Sequence, residues 1–308
     1  MTARVILSFD CEGKWGVADN LNAVTHQKLS DASLQRAYHS LLDCFATHQI
    51  PATFAFVGCF TLPMEKLVQL RPELERQAKS FPHYLSPAIQ DCFEGSSQGW
   101  SGQWAMEAVA NAREKHEIGL HGVTHVHWND PAMTEALARE ELGLAYEAAF
   151  PVCSVARTFV YPCNAVIHTA LLTERGLLAY REVRPRGSRL ASLLSEFNVF
   201  SSSDSDRNPT ASPLAIPPGY YINWQHGLRR TVPFFVSKLR MRRILAHAVS
   251  TGGVAHFWGH PEDFATAPST FVLLKALLEE IASLRDRGLC EVLTQYDYAL
   301  RQREVLRQ

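Results

Sequence analysis

Short apolar or β-branched runs recur along the chain at 5–9, 53–57, 118–120, 158–161, 198–200, 254–258 and 290–293, separated by longer stretches with apolar positions three and four apart. This rhythm predicts parallel strands joined by crossover helices. The 30–48 segment places Leu34, Tyr38, Leu41, Leu42 and Phe45 at helical spacing, with Ser30 or Asp31 able to cap its first turn. A second helix is expected over 131–150, with Asp130 as N-cap and Pro131 at the first helical position. A third, over 269–287, closes at Gly288.

Two stretches break the rhythm. Residues 60–103 contain Pro63, Pro72, Pro82, Pro87 and the run Gly95-Ser96-Ser97-Gln98-Gly99, which predicts an excursion with short helices inside it. Residues 201–238 are polar, then proline-rich, then aromatic and basic. Neither has the character of an independent domain and no repeat is visible, so 1–308 is read as a single domain. In a parallel α/β architecture, excursions beyond the C-terminal strand ends shape the ligand site.

Composition changes this picture little. The chain has 308 residues, 46% hydrophobic and 20% charged, enough for a large core. A net charge of -1 provides no global field for nucleic acid, so an anionic partner has to be bound locally. The start of the chain carries no secretory pattern, no run is long enough to span a bilayer, and the seven cysteines are scattered without a Cys-x-x-Cys pair. Free thiols in a reducing cytoplasm are the expectation.

The candidate chemistry lies at strand ends. Ser8-Phe9-Asp10-Cys11-Glu12 follows the first apolar run, and strand alternation turns Asp10 and Glu12 to one side and Cys11 to the other. One carboxylate can ligate a metal while the other acts as a base. Alternatively, an Asp-x-Glu before Gly13 simply caps a turn. His121 and His125 follow the strand pattern of 117–120, with His127 and Trp128 immediately after. One carboxylate and two imidazoles leave coordination positions open for water and substrate, as in catalytic rather than structural zinc. In the run from His256 to Pro261, His260 lies just past a strand end, where a general acid could reach a leaving amine, while His256 reads as a satisfied strand histidine. Asn164 reaches the same rim, either to orient substrate or to hold its loop.

Together these motifs carry a resemblance. Ser-Phe-Asp-Cys-Glu, Glu-Ile-Gly-Leu-His-Gly-Val-Thr-His, Phe-Val-Tyr-Pro-Cys-Asn and Trp-Gly-His-Pro, in that order, resemble the motifs of the polysaccharide deacetylase family, also called NodB-homology or carbohydrate esterase family 4. The resemblance implies a distorted (β/α)7 barrel and metal-dependent removal of an acyl group from an amino sugar. It makes Asp10 the catalytic base, His121 and His125 metal ligands, and His260 the histidine that protonates the leaving amine. Most members carry adjacent aspartates in the first motif. This chain has Cys11 at the second position and resembles a branch with Asp-x-Asp or Asp-x-Glu, which puts Glu12 on the metal. The third motif usually supplies an arginine that pairs with the base. Here Cys163 stands in its place, leaving Arg157 or another basic residue to do this.

Two further features complete the reading. Trp15 and Trp128 flank the metal-binding segments and are candidates for stacking on a sugar ring, with a core or lid role as the alternative. Residues 228–243 gather six basic side chains around Phe234 and Phe235. They could hold the phosphate of an activated sugar, dock on an anionic membrane, or form an amphipathic helix with a solvated basic face. The sequence therefore predicts a cytoplasmic zinc-dependent N-deacylase acting in surface-polysaccharide or O-antigen assembly on a nucleotide- or lipid-linked amino sugar, possible peripheral contact with the inner membrane face included. The competing readings are a metal-free or non-sugar amide hydrolase and a catalytically inactive carbohydrate-binding protein.

Overall fold

The computed structural model describes residues 2–153, 155–183 and 211–305. Nine strands lie within them: β1 (Ala3–Cys11), β2 (Thr53–Phe56), β3 (Glu117–Leu120), β4 (Thr158–Phe159), β5 (Ala179–Arg181), β6 (Leu214–Ile216), β7 (Tyr220–Tyr221), β8 (Val254–Gly259) and β9 (Cys290–Leu293). Eight follow one path, β6-β5-β4-β3-β2-β1-β8-β7, and β9 joins the lower half of β1 through Ala3 to Ile6. Every pairing among them is parallel. The sheet curls into a distorted parallel barrel with helices around it. The predicted strand at 198–200 lies outside the described residues. The short strands β5, β6 and β7 give too few residues for a periodicity to show.

Alternation on β1 sorts its side chains into two environments. Val5, Leu7, Phe9 and Cys11 enter the main core beneath the outer helices, where Phe9 stacks on Phe54 and meets Phe45 edge to face. Ile6, on the other face, belongs to a smaller apolar cluster with Ala179, Leu214, Ile216, Val254, Tyr298 and Ala299. Tyr298 and Ala299 come from the helix Gln295–Val305, which plugs the lower end of the barrel. Above this plug the interior becomes polar: Ser8, His256, Arg181 and Asp10 are all buried. An apolar floor under a dry polar layer strengthens the electrostatic interactions above it.

The strand register aligns the C-terminal ends. Cys11 pairs with Phe56 and Phe56 with Leu120, so the residues that follow, Glu12 and His121, emerge at one level. The helix Asp31–His48 starts at Ser30, whose side chain accepts from Ser33 N, as the sequence suggests. The helix expected over 131–150 instead runs Glu135–Ala149. Thr134 caps it by accepting from Leu137 N, whereas Asp130 Oδ1 accepts from Ala132 N in a tight local turn. That short-range bond satisfies Asp130 and removes it as a cap.

Candidate metal-dependent active site

Glu12, His121 and His125 converge beyond the ends of β1 and β3. Glu12 Oε1 lies 3.1 Å from His121 Nε2 and 2.9 Å from His125 Nε2. The partners on the other ring nitrogens fix the tautomers. His121 Nδ1 is 2.8 Å from the carbonyl oxygen of Val160, which can only accept. Tyr84 donates its one hydroxyl hydrogen to Trp15 O at 2.6 Å, so its oxygen accepts from His125 Nδ1, also at 2.6 Å. Both imidazoles therefore carry hydrogen on Nδ1 and, when neutral, turn bare Nε2 lone pairs toward a carboxylate oxygen. His125 Nε2 is buried and lacks a hydrogen-bond donor. Three electron-rich atoms facing one another in a buried space fit a cation, and one carboxylate with two imidazoles suits zinc. The ligand atoms also lie close enough together to share one ion.

The surroundings hold these ligands in place. Gly16 leaves room for the Glu12 carboxylate, because a methyl group at Gly16 would overlap it. Burial alone would push Glu12 up, but His125, His260 and His121 beside it hold it well below the usual carboxylate range. Glu262 Oε1 accepts from the backbone N–H groups of Glu12 and Gly13 at 3.1 and 2.5 Å, anchoring the turn. Burial and the Glu12 charge push Glu262 up to about 8. On the other side, Glu141 accepts from Val123 N, Thr124 N and Thr124 Oγ1, pinning the loop between the two histidines.

Asp10 stands beside this cluster in a bidentate pair with Arg181, with Nη1 donating to Oδ1 at 2.8 Å and Nη2 to Oδ2 at 2.5 Å. Burial pushes Asp10 up, but Arg181, His121 and His260 outweigh it and hold the carboxyl below its ordinary value. Arg181 is fixed from three directions. Asn164 Oδ1 accepts from its Nε and Nη2, the Trp258 ring lies 4.5 Å from the guanidinium carbon, and Ser8 Oγ accepts from Nη1. Below it the hydrogen bonds have one direction. His256 Nδ1 donates to Pro217 O at 2.7 Å, so Ser8 donates to His256 Nε2 at 2.8 Å. His256 is thus an interior, neutral, satisfied histidine.

His260 closes the other side. Its Nε2 is 4.0 Å from Asp10 Oδ2 and 3.7 Å from Glu12 Oε1, and its Nδ1 is 3.0 Å from Asp263 Oδ2. Tyr221 donates to that same Asp263 oxygen at 2.7 Å. Burial would push His260 down, but Asp263, Glu12 and Asp10 raise it to about 10.

The fold has counterparts among solved structures. A protein from Mycobacterium smegmatis assigned as a polysaccharide deacetylase superposes with a TM-score of 0.64 at 16% identity, over 98% of this chain and 91% of that one. The chain has the polysaccharide deacetylase fold. More distant matches include the Xyl-CE4 domain of a multidomain xylanase from the hindgut metagenome of Trinervitermes trinervoides, with 13% identity, a TM-score of 0.46, and coverage of 99% of this chain and 92% of that one. A CE4 esterase of Streptococcus mutans matches at 14% identity and a TM-score of 0.45, over 95% and 86% of the two chains. No family model and no curated protein matches the sequence.

On the deacetylase fold, Asp10, Glu12, His121, His125 and His260 come together in one site. Asn164 reaches it indirectly, through Arg181. One expectation is corrected and one open position is filled. Trp15 and Trp128 are both 0% exposed. Trp15 donates to Trp100 O and packs edge to face on its ring, while Trp128 packs against Phe159 and Tyr161, so neither offers a face to a sugar. The basic partner of Asp10, left open between Arg157 and another residue, is Arg181. Arg157 Nη1 reaches Gly176 O, and it is Arg181, on β5, that grips Asp10. Cys163 Sγ lies 3.0 Å from His127 Nε2 instead.

The sequence reading missed Arg181, Tyr84, Asp263 and Glu262. Asp263 had a detectable signal, because His260-Pro261-Glu262-Asp263 forms a capping box at the start of the helix Pro261–Thr266. Tyr84 sits mid-excursion with no local mark of its role.

Proposed function

We propose that this chain is a metal-dependent N-deacylase that removes an acetyl or formyl group from an amino sugar. The observation that carries this reading is the junction of three groups: the Glu12, His121 and His125 cluster, Asp10 gripped by Arg181, and His260 backed by Asp263. Zinc suits the donor set, held by Glu12, His121 and His125. When bound there, the ion supplies Lewis acidity that polarises an amide carbonyl and makes a water molecule more acidic.

The chain's own residues handle the protons. Asp10, ionised at neutral pH, accepts a proton from the attacking water, and Arg181 keeps the carboxylate aimed. His260 holds its second proton on Nε2, since Nδ1–H is taken by Asp263. Water oxygen bonds to the acyl carbon, the carbon–nitrogen bond breaks, and the nitrogen takes the proton from His260. The products are a carboxylic acid and a free amine, the balance of one amide and one water. Asp10 then gives up its proton to solvent and His260 regains one from it, which restores both groups for the next turnover.

Trp258 and Tyr221 take the place that Trp15 and Trp128 cannot. Both are half-buried, 4.9 Å apart, and 5.6 and 5.8 Å from the His260 ring, a wall suited to a sugar face. Every cysteine is a free thiol, the state kept in a reducing compartment, and the substrate we assign is a nucleotide- or lipid-linked precursor in surface-polysaccharide assembly.

Acetate and formate release from a panel of N-acylated amino sugars by zinc-loaded protein tests the reading. Asp10→Asn is expected to abolish release while retaining metal by elemental analysis. A fully active Asp10→Asn protein, or a wild-type protein that takes up no stoichiometric metal, overturns it.

A further inference from the structure

One surface next to the site combines exposed apolar side chains with a cluster of basic residues. Between residues 211 and 261 the sequence carries Arg229, Arg230, Lys238, Arg240, Arg242 and Arg243 and no Asp or Glu, within a protein whose net charge is -1. The 3-10 turn Gly227–Thr231 leads into the helix Phe234–Thr251. Ser237, Met241, Ile244, Leu245 and Ala248 on that helix face the core. On the outer side Phe235, Leu239 and Arg242 recur at four- and three-residue spacing, with Phe234 and Lys238 alongside. Leu228 is 73% exposed, Phe235 69%, and Phe234 and Leu239 40% each. Isolated exposed apolar residues need no explanation, but four so close in the chain and interleaved with cations do.

We infer that this face, residues 228–242, docks the protein on an anionic lipid bilayer, with Leu228, Phe234, Phe235 and Leu239 entering the headgroup boundary and Arg230, Lys238 and Arg242 meeting lipid phosphates. Phenylalanine and leucine beside lysine and arginine are the side chains that an interfacial helix uses, and the missing carboxylates remove repulsion from an anionic surface. A soluble anion would need the cations but not the two phenylalanines. One carboxylate from the neighbouring helix Thr270–Asp286, Glu280, reaches Arg242 at 3.1 Å and leaves Arg230 and Lys238 untouched. No helix among the described residues is long and apolar enough to cross a membrane, so the contact is peripheral.

The surface is coupled in space to the proposed active site. The Arg229 guanidinium lies 5.0 Å over the Tyr221 ring, whose hydroxyl holds the Asp263 oxygen that backs His260. Docking there places the acid side of the site at the bilayer, where a lipid-linked amino sugar is presented. This extends the N-deacylase reading, but the binding itself is measured without turnover.

Flotation of the full chain with vesicles of phosphatidylcholine alone, or with about a third phosphatidylglycerol, tests the inference. Binding is expected to the anionic vesicles, absent from the neutral ones, and lost at high salt. Phe234→Ser with Phe235→Ser, and separately Arg230→Gln with Lys238→Gln and Arg242→Gln, should each lower the bound fraction at least tenfold. Both variants should release acyl groups from a water-soluble amino sugar at the wild-type rate, which verifies folding. Equal binding to neutral vesicles, an unchanged cation variant, or an unchanged double serine variant overturns the docking surface. Absence of turnover with intact, salt-sensitive vesicle binding instead overturns the deacylase reading alone.

Discussion

Arg181 and Asp10 share two parallel hydrogen bonds, 2.8 and 2.5 Å long, although 171 residues separate them in the chain. Both are buried, and the guanidinium is further held by Asn164, Ser8 and the Trp258 ring. Removing one partner of such a pair strands a buried charge, typically at about 3–5 kcal/mol. Arg181→Lys keeps the charge but loses the planar fork. Its expected effect is a slower enzyme whose kcat/KM falls off at higher pH on the acid side, because Asp10 is no longer held as low. An unchanged acid limb would show that Arg181 does not tune Asp10.

Tyr84 is expected to influence metal affinity through His125. Its hydroxyl oxygen accepts from His125 Nδ1 and thereby aims the Nε2 lone pair. Tyr84→Phe keeps the ring and removes that acceptor, and a lost partner of this kind typically weakens metal binding about 10- to 100-fold. Competition with a chelator of known zinc affinity measures it. Wild-type affinity in Tyr84→Phe would assign the hydroxyl to Trp15 alone.

Gly16 has a steric role at Glu12. Its backbone is not in the left-handed region, so alanine suits the chain but its methyl would overlap the Glu12 carboxylate. Gly16→Ala should therefore reduce bound metal and turnover together with a small change in thermal stability. Full metal occupancy by elemental analysis would mean that Glu12 can shift without leaving the ion.

Acid stability is expected to depend on two histidines outside the Glu12, His121 and His125 cluster. Burial lowers His116 from its ordinary 6.5 to about 4. Burial, reinforced by Arg181, lowers His256 to about 3. Below pH 6.5 the unfolded chain binds protons at these positions while the folded chain does not, so stability falls as pH drops from 6.5 toward 4. Above 6.5 both states are neutral and the effect vanishes. His116→Gln removes one of these sites, and its urea midpoint should fall less between pH 7 and pH 5 than that of the wild type. An equal fall in both proteins would remove His116 from the acid response.

The sequence by itself determined the parallel architecture and the residues that converge at the strand ends. Continuous apolar runs mark buried parallel strands, and ligands that follow such runs share one rim, so Asp10, Glu12, His121, His125 and His260 were legible from local pattern alone. Alternation also turned Cys11 away, and it is buried in the outer core. What tertiary structure decided was partnership and exposure. Arg181 lies on a three-residue strand, and nothing in Ala179-Tyr180-Arg181 marks it as the partner of a carboxylate on β1, because that pairing arises only when the sheet curls and β5 faces β1 across the interior. The indoles of Trp15 and Trp128 look alike from sequence whether they line a sugar site or a core, and only the packing of the 82–94 helix and of β4 encloses them. Short-range chemistry is written in spacing, whereas burial and long-range pairing depend on which surfaces the fold brings together.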